Sequence, residues 1–126
     1  MQMKTLSAVA AALADPSRLR AAVYLADGEL CACQLAAALG LAQSTVSRHM
    51  AVLERAGLVA SRKEGRWVYF RRPGRDAPAA VRGALRWVDA HTGEAEVPAA
   101  DRKRIGEVRR RGPEGCCGTR PKGGAR

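Results

Sequence analysis

The feature that most constrains this chain is a pair of short amphipathic helices joined by a tight turn. Apolar residues recur three and four positions apart on each side of the turn, as expected for one buried face of each helix. These positions are Leu35, Ala38 and Leu39 before the turn and Val46, Met50 and Leu53 after it. Gly40 suits the end of the first helix and Gly57 the end of the second. The pattern predicts a helix-turn-helix unit, which either packs into a core or presents its second helix to a partner.

Further helices and a hairpin surround this unit. The stretch from Thr5 to Ala14 has helical spacing, and Asp15-Pro16 is a typical start for a second helix that runs to about Ala26. After the helix-turn-helix, two β-favouring runs flank a polar turn around Lys63-Glu64-Gly65, which predicts a hairpin. A last helix follows Pro78. This order predicts a mainly α fold with a small β-hairpin, a winged helix-turn-helix.

The excess positive charge is concentrated near the end of the chain. The formal net charge is +10; residues 1–101 carry 13 Lys/Arg against 10 Asp/Glu, a net +3, and residues 102–126 carry 9 against 2, a net +7. We therefore predict a folded domain over residues 1–91 and a flexible basic tail over residues 92–126 that is too polar to fold alone. The total charge favours a polyanionic partner, and the small size favours a partner subunit.

The N-terminal residues do not resemble a targeting signal. Their apolar run has helical spacing and passes directly into the second, capped helix. No stretch approaches the roughly 18 uninterrupted apolar residues of a membrane span. We expect a cytoplasmic protein with no membrane partner and with reduced cysteines. Clustered cysteines in that compartment more often indicate metal or redox chemistry than structural disulfides.

The outer face of the second helix of the unit is suited to reading DNA. It carries small hydrogen-bonding groups and one guanidinium, and it has no acid before Glu54. Serines permit close approach to the major groove, glutamine can read adenine, and arginine can read guanine or hold phosphate. The hairpin adds basic residues where a wing would meet phosphates or the minor groove. The predicted DNA-binding residues are Gln43, Ser44, Thr45, Ser47, Arg48, His49, Arg62, Lys63 and Arg66.

The four cysteines form two tight pairs, Cys31-Ala-Cys33 and Cys116-Cys117. Residues i and i+2 of a helix point about 200° apart, but Cys31 falls at or near a predicted N-cap, where non-helical backbone lets its sulfur turn toward Cys33. The start of a helix also stabilises thiolates, which select soft ions. The tail pair could fold back and contribute a third sulfur. Zinc prefers four ligands, whereas three sulfurs suit a trivalent metalloid.

These motifs resemble those of the ArsR, or ArsR/SmtB, family of metalloregulatory repressors. ELCACQL resembles the family's arsenic-sensing motif, GLAQSTVSRHMAVLERAGLV its recognition helix and KEGRWVYF its wing. The resemblance covers roughly Leu6 to His91. It implies repression of an arsenic-resistance operon through operator double-stranded DNA. It also implies release by arsenite or antimonite, As(III) or Sb(III), bound to the thiolates of Cys31 and Cys33.

The resemblance further implies a homodimer formed by the first and last helices. The apolar stripes predicted to form that interface are Leu6, Val9 and Leu13, and Val81, Leu85 and Val88. One position departs from the pattern, since some arsenic-sensing relatives have a third cysteine where this chain has Ala36. Either Cys31 and Cys33 suffice, or Cys116 or Cys117 completes the site.

Other interpretations of the cysteines stay open. Cys31 and Cys33 could be small buried residues of an Ala-rich helix. A winged-helix redox sensor would use the same pair to form a disulfide, and a sensor of Zn, Cd or Pb would respond to those ions. A thiol-based reductase is the least favoured, because no Cys-x₅-Arg phosphate loop is present. We therefore predict a protein that is not an enzyme, has no catalytic residues and requires no cofactor beyond its inducer.

Overall fold

Six helices and three short strands make up the described part of the chain, residues 2–92 and 99–116 of a computed structural model. In chain order they are α1 (Gln2–Leu13), α2 (Pro16–Tyr24), a 3₁₀ turn (Leu25–Asp27), β1 (Leu30–Cys31), α3 (Ala32–Leu39), α4 (Gln43–Arg55), β2 (Ala60–Glu64), β3 (Trp67–Arg71), α5 (Ala79–His91) and α6 (Ala99–Cys116). Helices α3 and α4 with the β2–β3 wing form the predicted winged helix-turn-helix.

The start of α2 lies where the sequence predicts it. Asp15 is the N-cap, and its Oδ1 accepts hydrogen bonds from the backbone N–H of Ser17 (2.8 Å) and Arg18 (3.2 Å). Pro16 occupies the first helical position, where a missing N–H costs nothing. The helix ends at Tyr24, slightly before the predicted Ala26, because the chain tightens into the 3₁₀ turn.

The turn between α3 and α4 is made by a left-handed glycine. Gly40 has φ 71°, and the N–H groups of Gly40 (2.9 Å) and Leu41 (3.1 Å) both bond to the carbonyl of Ala36. A side chain at position 40 would be strained in this conformation. The predicted end of α3 is confirmed, and α4 begins three residues later.

The core lies between helices α1 to α5 and the base of the wing. Both apolar stripes of the helix-turn-helix are buried there, as predicted. The largest fully buried side chains are Leu25, Leu30, Leu35, Met50, Leu53, Leu58, Val46, Val81, Val88 and Cys31. Because α4 buries one face in this core, its opposite face is left exposed over the N-terminal half.

The sheet is antiparallel, with strand order β1-β3-β2. The β2–β3 hairpin is confirmed, and Gly65 (φ 63°) and Arg66 close it between Glu64 and Trp67. Strand β1 was not predicted: Leu30 pairs with Phe70, and Cys31 with Tyr69. A two-residue strand has no periodicity of its own, so its pairing depends on the wing folding back against α3.

Helix α6 differs from the expected tail. We predicted no packed element after about Thr92, yet residues 99–116 are helical and lie along α3, with a break at Gly112. Val108 is buried, and Arg104 Nε donates to the carbonyl of Ala38 (3.1 Å). The expectation fails for this segment because a few apolar residues suffice when a neighbouring helix supplies the rest of the interface.

The stripes predicted to form a dimer interface lie mostly inside the single chain. Val9, Val81, Leu85 and Val88 are buried, so assigning them to a partner subunit was wrong. Helical spacing alone does not distinguish a core face from an interface. The large hydrophobic side chains left exposed on the described residues are Met3, Leu6 and Trp87. An apolar groove of about 350 Å³ between α1 and α5 is lined by Leu6, Val9, Ala10, Leu13, Ala14, Ala84 and Trp87.

Within residues 2–92 and 99–116, every helix is too short or too polar to cross a bilayer.

The Asp15 cap generates a stability prediction. Replacing Asp15 with Ala should lower the free energy of unfolding by about 0.5–2 kcal/mol, because two N–H groups lose their acceptor. Partial desolvation raises the pKa of Asp15, but the hydrogen bonds from Arg18 and Ser17 outweigh it, so the pKa lies below its usual value. The carboxylate's contribution is therefore present above pH ~4 and is lost as the pH falls through the lower folded pKa.

Urea unfolding at pH 7 and pH 3 measures this effect. The loss caused by Asp15→Ala should be larger at pH 7, and Asp15→Asn, which keeps a capping acceptor without the charge, should lie closer to the parent at pH 3 than at pH 7. Equal losses at the two pH values would contradict a carboxylate cap.

Candidate thiol centre and nucleic-acid interface

Cys31 and Cys33 lie together at the start of α3. Cys31 is the N-cap, with extended backbone (φ −83°, ψ 165°), and this conformation turns its side chain toward Cys33. The two Sγ atoms are 3.4 Å apart. Cys31 is 1% exposed and Cys33 is half-buried. The predicted relaxation of helical geometry at the N-cap is confirmed, and the pair can present two sulfurs to one atom.

Gln34 holds the Cys31 backbone in place. The N–H of Cys31 donates to Gln34 Oε1 (2.8 Å), and the amide side chain is itself buried. This is the reciprocal half of a capping box, in which the third helical residue accepts from the N-cap N–H. Sequence reasoning missed Gln34, although Cys-x-x-Gln has the capping-box spacing with Cys in place of Ser or Thr.

A charged cluster ties the wing to the thiol centre. Tyr69, the β3 partner of Cys31, lies under the Arg62 guanidinium, whose Cζ is 4.5 Å from the ring centre. Arg62 donates to both carboxylate oxygens of Glu29 (2.8 Å each) and to Glu64. The Arg62 hydrogen bond lowers the pKa of Glu29. Burial and the nearby charge of Cys31 raise the pKa of Tyr69.

Cys33 has a further covalent partner. It is disulfide-bonded in this structure, and its bond is not to Cys31, because 3.4 Å far exceeds an S–S bond of about 2.05 Å. Cys117 and the side chain of Cys116 lie outside the described residues. Among the residues that are described, His, Cys, Asp and Glu side chains nowhere gather in a group of three or more that could hold a metal ion.

The course of α6 relates the tail to the thiol centre. Arg104 contacts the carboxyl end of α3, at Ala38, while Arg109 Nη2 donates to the carbonyls of Tyr24 (2.8 Å) and Gly28 (3.1 Å), before the start of α3. Helix α6 therefore runs antiparallel to α3. Its C-terminal half is directed toward the end of α3 that carries Cys31.

A cleft of about 370 Å³ opens beside the two cysteines. Helix α4 and the wing form its walls, and Ser61 Oγ donates to Glu54 Oε2 (2.7 Å) between those walls. The lining residues are Cys31, Ala32, Cys33, Gln43, Ser47, Ala51, Glu54, Arg66, Trp67, Val68 and Phe70. The cleft therefore joins the thiol centre to residues predicted to read DNA.

The exposed face of α4 carries most of the residues predicted to contact DNA. Gln43, Ser44, Ser47 and Arg48 are exposed, while Thr45 and His49 are half-buried. His49 Nδ1 lies 3.4 Å from Arg18 Nη1, an arginine that also donates to the carbonyl of Ala12 (2.7 Å) at the end of α1. His49 therefore helps hold α4 against the preceding helices.

Two further features of α4 and the wing emerge from the structure. Ala42, the N-cap of α4, makes no side-chain hydrogen bond to the helix, so first-turn N–H groups are available to a phosphate. On the wing, Lys63 and Arg66 are exposed near the turn, but Arg62 is engaged with two carboxylates and an aromatic ring. The three basic wing residues that the sequence predicted together therefore differ, because only Arg62 is already paired with carboxylates in this way.

Known proteins with similar sequences are transcriptional regulators. The profile of the bacterial regulatory protein, arsR family, matches residues 15–61. The arsenic resistance transcriptional regulator ArsR1 of Pseudomonas putida is 48% identical over 60 residues, 47% of this chain and 47% of that protein. The arsenical resistance operon repressor of Escherichia coli K12 is 47% identical over 60 residues, 47% of this chain and 51% of that protein. The chain spans about half the length of these relatives.

A solved structure shares the fold. The homodimeric winged helix-turn-helix DNA-binding domain of Mb0332 from Mycobacterium bovis, described as a possible ArsR-family transcriptional regulator, matches with a TM-score of 0.61 and 34% identity. The match covers 72% of this chain and 82% of that one. Together the fold and the exposed recognition helix define a winged helix-turn-helix transcriptional regulator.

Within that class, the chain belongs to the ArsR family.

The Gln34 contact generates a second prediction. Gln34→Ala should lower the free energy of unfolding by about 1–3 kcal/mol, because the buried Cys31 N–H loses its acceptor. Gln43→Ala is the matched control, since Gln43 is exposed, and it should change stability by less than about 0.5 kcal/mol. Urea unfolding under reducing conditions measures both. Similar values for the two variants would show that Gln34 does not hold the N-cap.

Proposed function

We propose that this chain is a cytoplasmic, homodimeric repressor that binds operator DNA of an arsenic-resistance operon and is released by As(III) or Sb(III). The inducer binds the thiolates of Cys31 and Cys33. The observation that carries the proposal is the 3.4 Å approach of the two sulfurs at the N-cap of α3, the helix that supports the recognition helix. Two relatives are named as regulators of arsenic resistance, which agrees with it.

DNA binding is proposed through α4 in the major groove and the wing beside it. The exposed Gln43, Ser47 and Arg48 contact base edges or phosphates, and the first-turn N–H groups of α4 donate to a phosphate oxygen. Lys63 and Arg66 bind the backbone next to the wing turn. We propose that Thr45 and His49 position α4, since both are half-buried.

The thiol centre fits a thiophilic ion when Cys33 is reduced. Both sulfurs can reach one atom, and the half-buried Cys33 opens toward the cleft. Soft thiolates bind soft ions. We propose that Cys116 or Cys117 supplies a third thiolate to arsenite, which the antiparallel course of α6 toward Cys31 supports. This addition compensates for Ala36, where the chain has no cysteine.

Induction is proposed to act through the Cys31 backbone. Cys31 is paired with Tyr69 on β3 and caps α3, so a displacement of its sulfur strains the wing and the helix together. Arg62 and Glu29 stiffen the wing side of this connection. By linkage, the inducer must bind free protein more tightly than DNA-bound protein by the factor with which it weakens DNA binding, about 5- to 150-fold for a typical coupling.

The dimer is proposed to form through α1 and α5. The apolar groove between them and the exposed Leu6 and Trp87 are suited to a second copy of the chain. A similar solved domain is homodimeric. The α1 stripe of Leu6, Val9 and Leu13 that the sequence suggested lines this groove, while on α5 the exposed Trp87 takes the place of the buried Val81, Leu85 and Val88.

One observation favours a second candidate function, a thiol-redox repressor. Cys33 is disulfide-bonded in this structure, so its oxidation state could itself change the geometry at the start of α3. Such a protein would release DNA on addition of peroxide without any metalloid and would regain affinity with dithiothreitol. A repressor induced by arsenite would instead release DNA when arsenite is added together with excess phosphine reductant and without dithiothreitol.

The cysteines generate the central functional prediction. Cys31→Ser and Cys33→Ser, singly or together, should leave DNA affinity within about twofold of the parent and abolish release by arsenite, because serine oxygens do not replace soft thiolates. The double variant Cys116→Ser/Cys117→Ser should retain release but need more arsenite. DNA-binding anisotropy during titration with As(III), Sb(III), Cd(II) and Zn(II) measures these effects.

Two results would overturn this assignment. Release of the Cys31→Ser/Cys33→Ser variant by arsenite would place the inducer site elsewhere. Release of the parent by Cd(II) or Zn(II) but not by As(III) would assign the protein to a different group of metal sensors.

The wing generates a separate prediction about salt dependence. Lys63→Ala should reduce the slope of log K against log salt by about 0.9, the effect of one lost phosphate contact. Arg62→Ala should change the slope less, since its guanidinium is already paired with Glu29 and Glu64. Anisotropy on duplex DNA at several salt concentrations gives both slopes. A larger change for Arg62→Ala would mean that Arg62 exchanges its carboxylates for phosphate on DNA.

A further inference from the structure

We propose that the outer face of α6, which carries Lys103 and Arg110, binds phosphates of the DNA that flanks the site read by α4 and the wing. This inference rests on the proposed DNA-binding function and adds a third element to the contact surface. The observation that carries it is the position of the first turns of α6, beside the turn that leads into α4.

Helix α6 concentrates positive charge. Residues 102–111 carry six Lys/Arg against one Glu, a net +5, whereas residues 1–101 together carry a net +3. A surface of this charge attracts a polyanion and gains affinity when it releases the counterions of nucleic acid. Because the neighbouring face of α4 is proposed to bind DNA, the same DNA is the polyanion within reach of α6.

Two of the arginines hold α6 in place. Arg104 Nε donates to the carbonyl of Ala38 (3.1 Å), and Arg109 Nη2 donates to two carbonyls of the segment before α3. Val108 is buried on the same side of the helix. These residues fix the inner face of α6 against α3, so the outer face is the one that can meet a partner.

The outer face presents two exposed cations in line. Lys103 and Arg110 are both exposed and are seven residues apart, two helical turns, which places them on one side about 10 Å apart. They lie opposite the buried Val108. The one acid of the segment, Glu107, pairs with Arg111 at 4.0 Å. The outer face therefore keeps a net positive charge.

The start of α6 adjoins the turn of the helix-turn-helix. The guanidinium nitrogens of Arg104 lie 4.0 Å from the point that a Cβ on Gly40 would occupy. Gly40 ends α3, and α4 begins three residues later at Gln43, where first-turn N–H groups are proposed to hold a phosphate. Lys103 precedes Arg104 in the chain. A DNA strand held at the start of α4 therefore continues past the outer face of α6.

The test measures the salt dependence of DNA binding by the full chain. Lys103→Gln/Arg110→Gln removes both charges and keeps side chains that favour a helix. The probe is a fluorescein-labelled duplex that the parent chain selects from a random-sequence library. Anisotropy at several salt concentrations should give a slope of log K against log salt that is smaller by about 1.8 for each bound protomer, at about 0.9 per lost phosphate contact.

Two control variants separate a local contact from a general effect of charge. Lys103→Arg/Arg110→Lys keeps both charges and should keep the slope of the parent. Lys4→Gln/Arg86→Gln removes the same charge from exposed positions on α1 and α5 and should change the slope by less than half as much. An unchanged midpoint of urea unfolding shows that each variant is folded.

Hydroxyl-radical footprinting on the same duplex locates the contacts. The parent should protect sugars next to those covered by α4 and the wing, and Lys103→Gln/Arg110→Gln should lose only that flanking protection. If the slope and the footprint of this variant equal those of the parent, the inference is overturned while DNA binding by α4 stands, and an acidic protein becomes the partner to test for α6. If the parent selects no duplex, the proposed DNA-binding function fails together with the inference.

Discussion

The rest of the structure depends on the position of one backbone residue, Cys31. Its residue pairing with Tyr69 joins β1 to the wing, and its extended dihedral angles begin α3. Its N–H is held by the buried amide of Gln34. A displacement of the Cys31 side chain therefore strains the β1–β3 pairing or the first turn of α3. The sulfur at this position is therefore connected to the wing and, through α3, to α4, the two elements proposed to contact DNA.

Helix α3 transmits that constraint because it is held on several sides. Helix α4 follows it across the left-handed Gly40, and α6 packs along it through Val108. Arg109 of α6 donates to the carbonyls of Tyr24 and Gly28 on the segment that leads into Cys31. A basic C-terminal segment thus supports the thiol centre as part of the packed structure.

Local signals in the sequence predicted the helix-turn-helix well. Each signal acts through the backbone chemistry of its own residues: Asp15 and Pro16 at the start of α2, Gly40 at the end of α3 and Gly57 after α4. These helix boundaries could therefore be placed without knowing the tertiary structure. The position of Cys31 at an N-cap belongs to the same class of local signal. The fold prediction and the predicted thiol site both rest on these local features.

The features that were missed depend on contacts between distant parts of the chain. Strand β1 exists only because residues 69–70 pair with it, and α6 is stable against α3 despite its polar composition. Arg62 has the sequence position of an ordinary basic wing residue, and its pairing with Glu29, 33 residues away, follows only from the tertiary structure. The buried positions of Val81 and Leu85 likewise follow from packing against the core, which helical spacing does not reveal.

Amide hydrogen exchange of the reduced protein, with and without arsenite, tests most directly whether Cys31 couples the inducer to the DNA-reading elements. We expect faster exchange in residues 30–35 and 67–71, which form the β1–β3 pairing and the first turn of α3, with α5 little changed. Release of DNA by arsenite with unchanged exchange in both segments would contradict it.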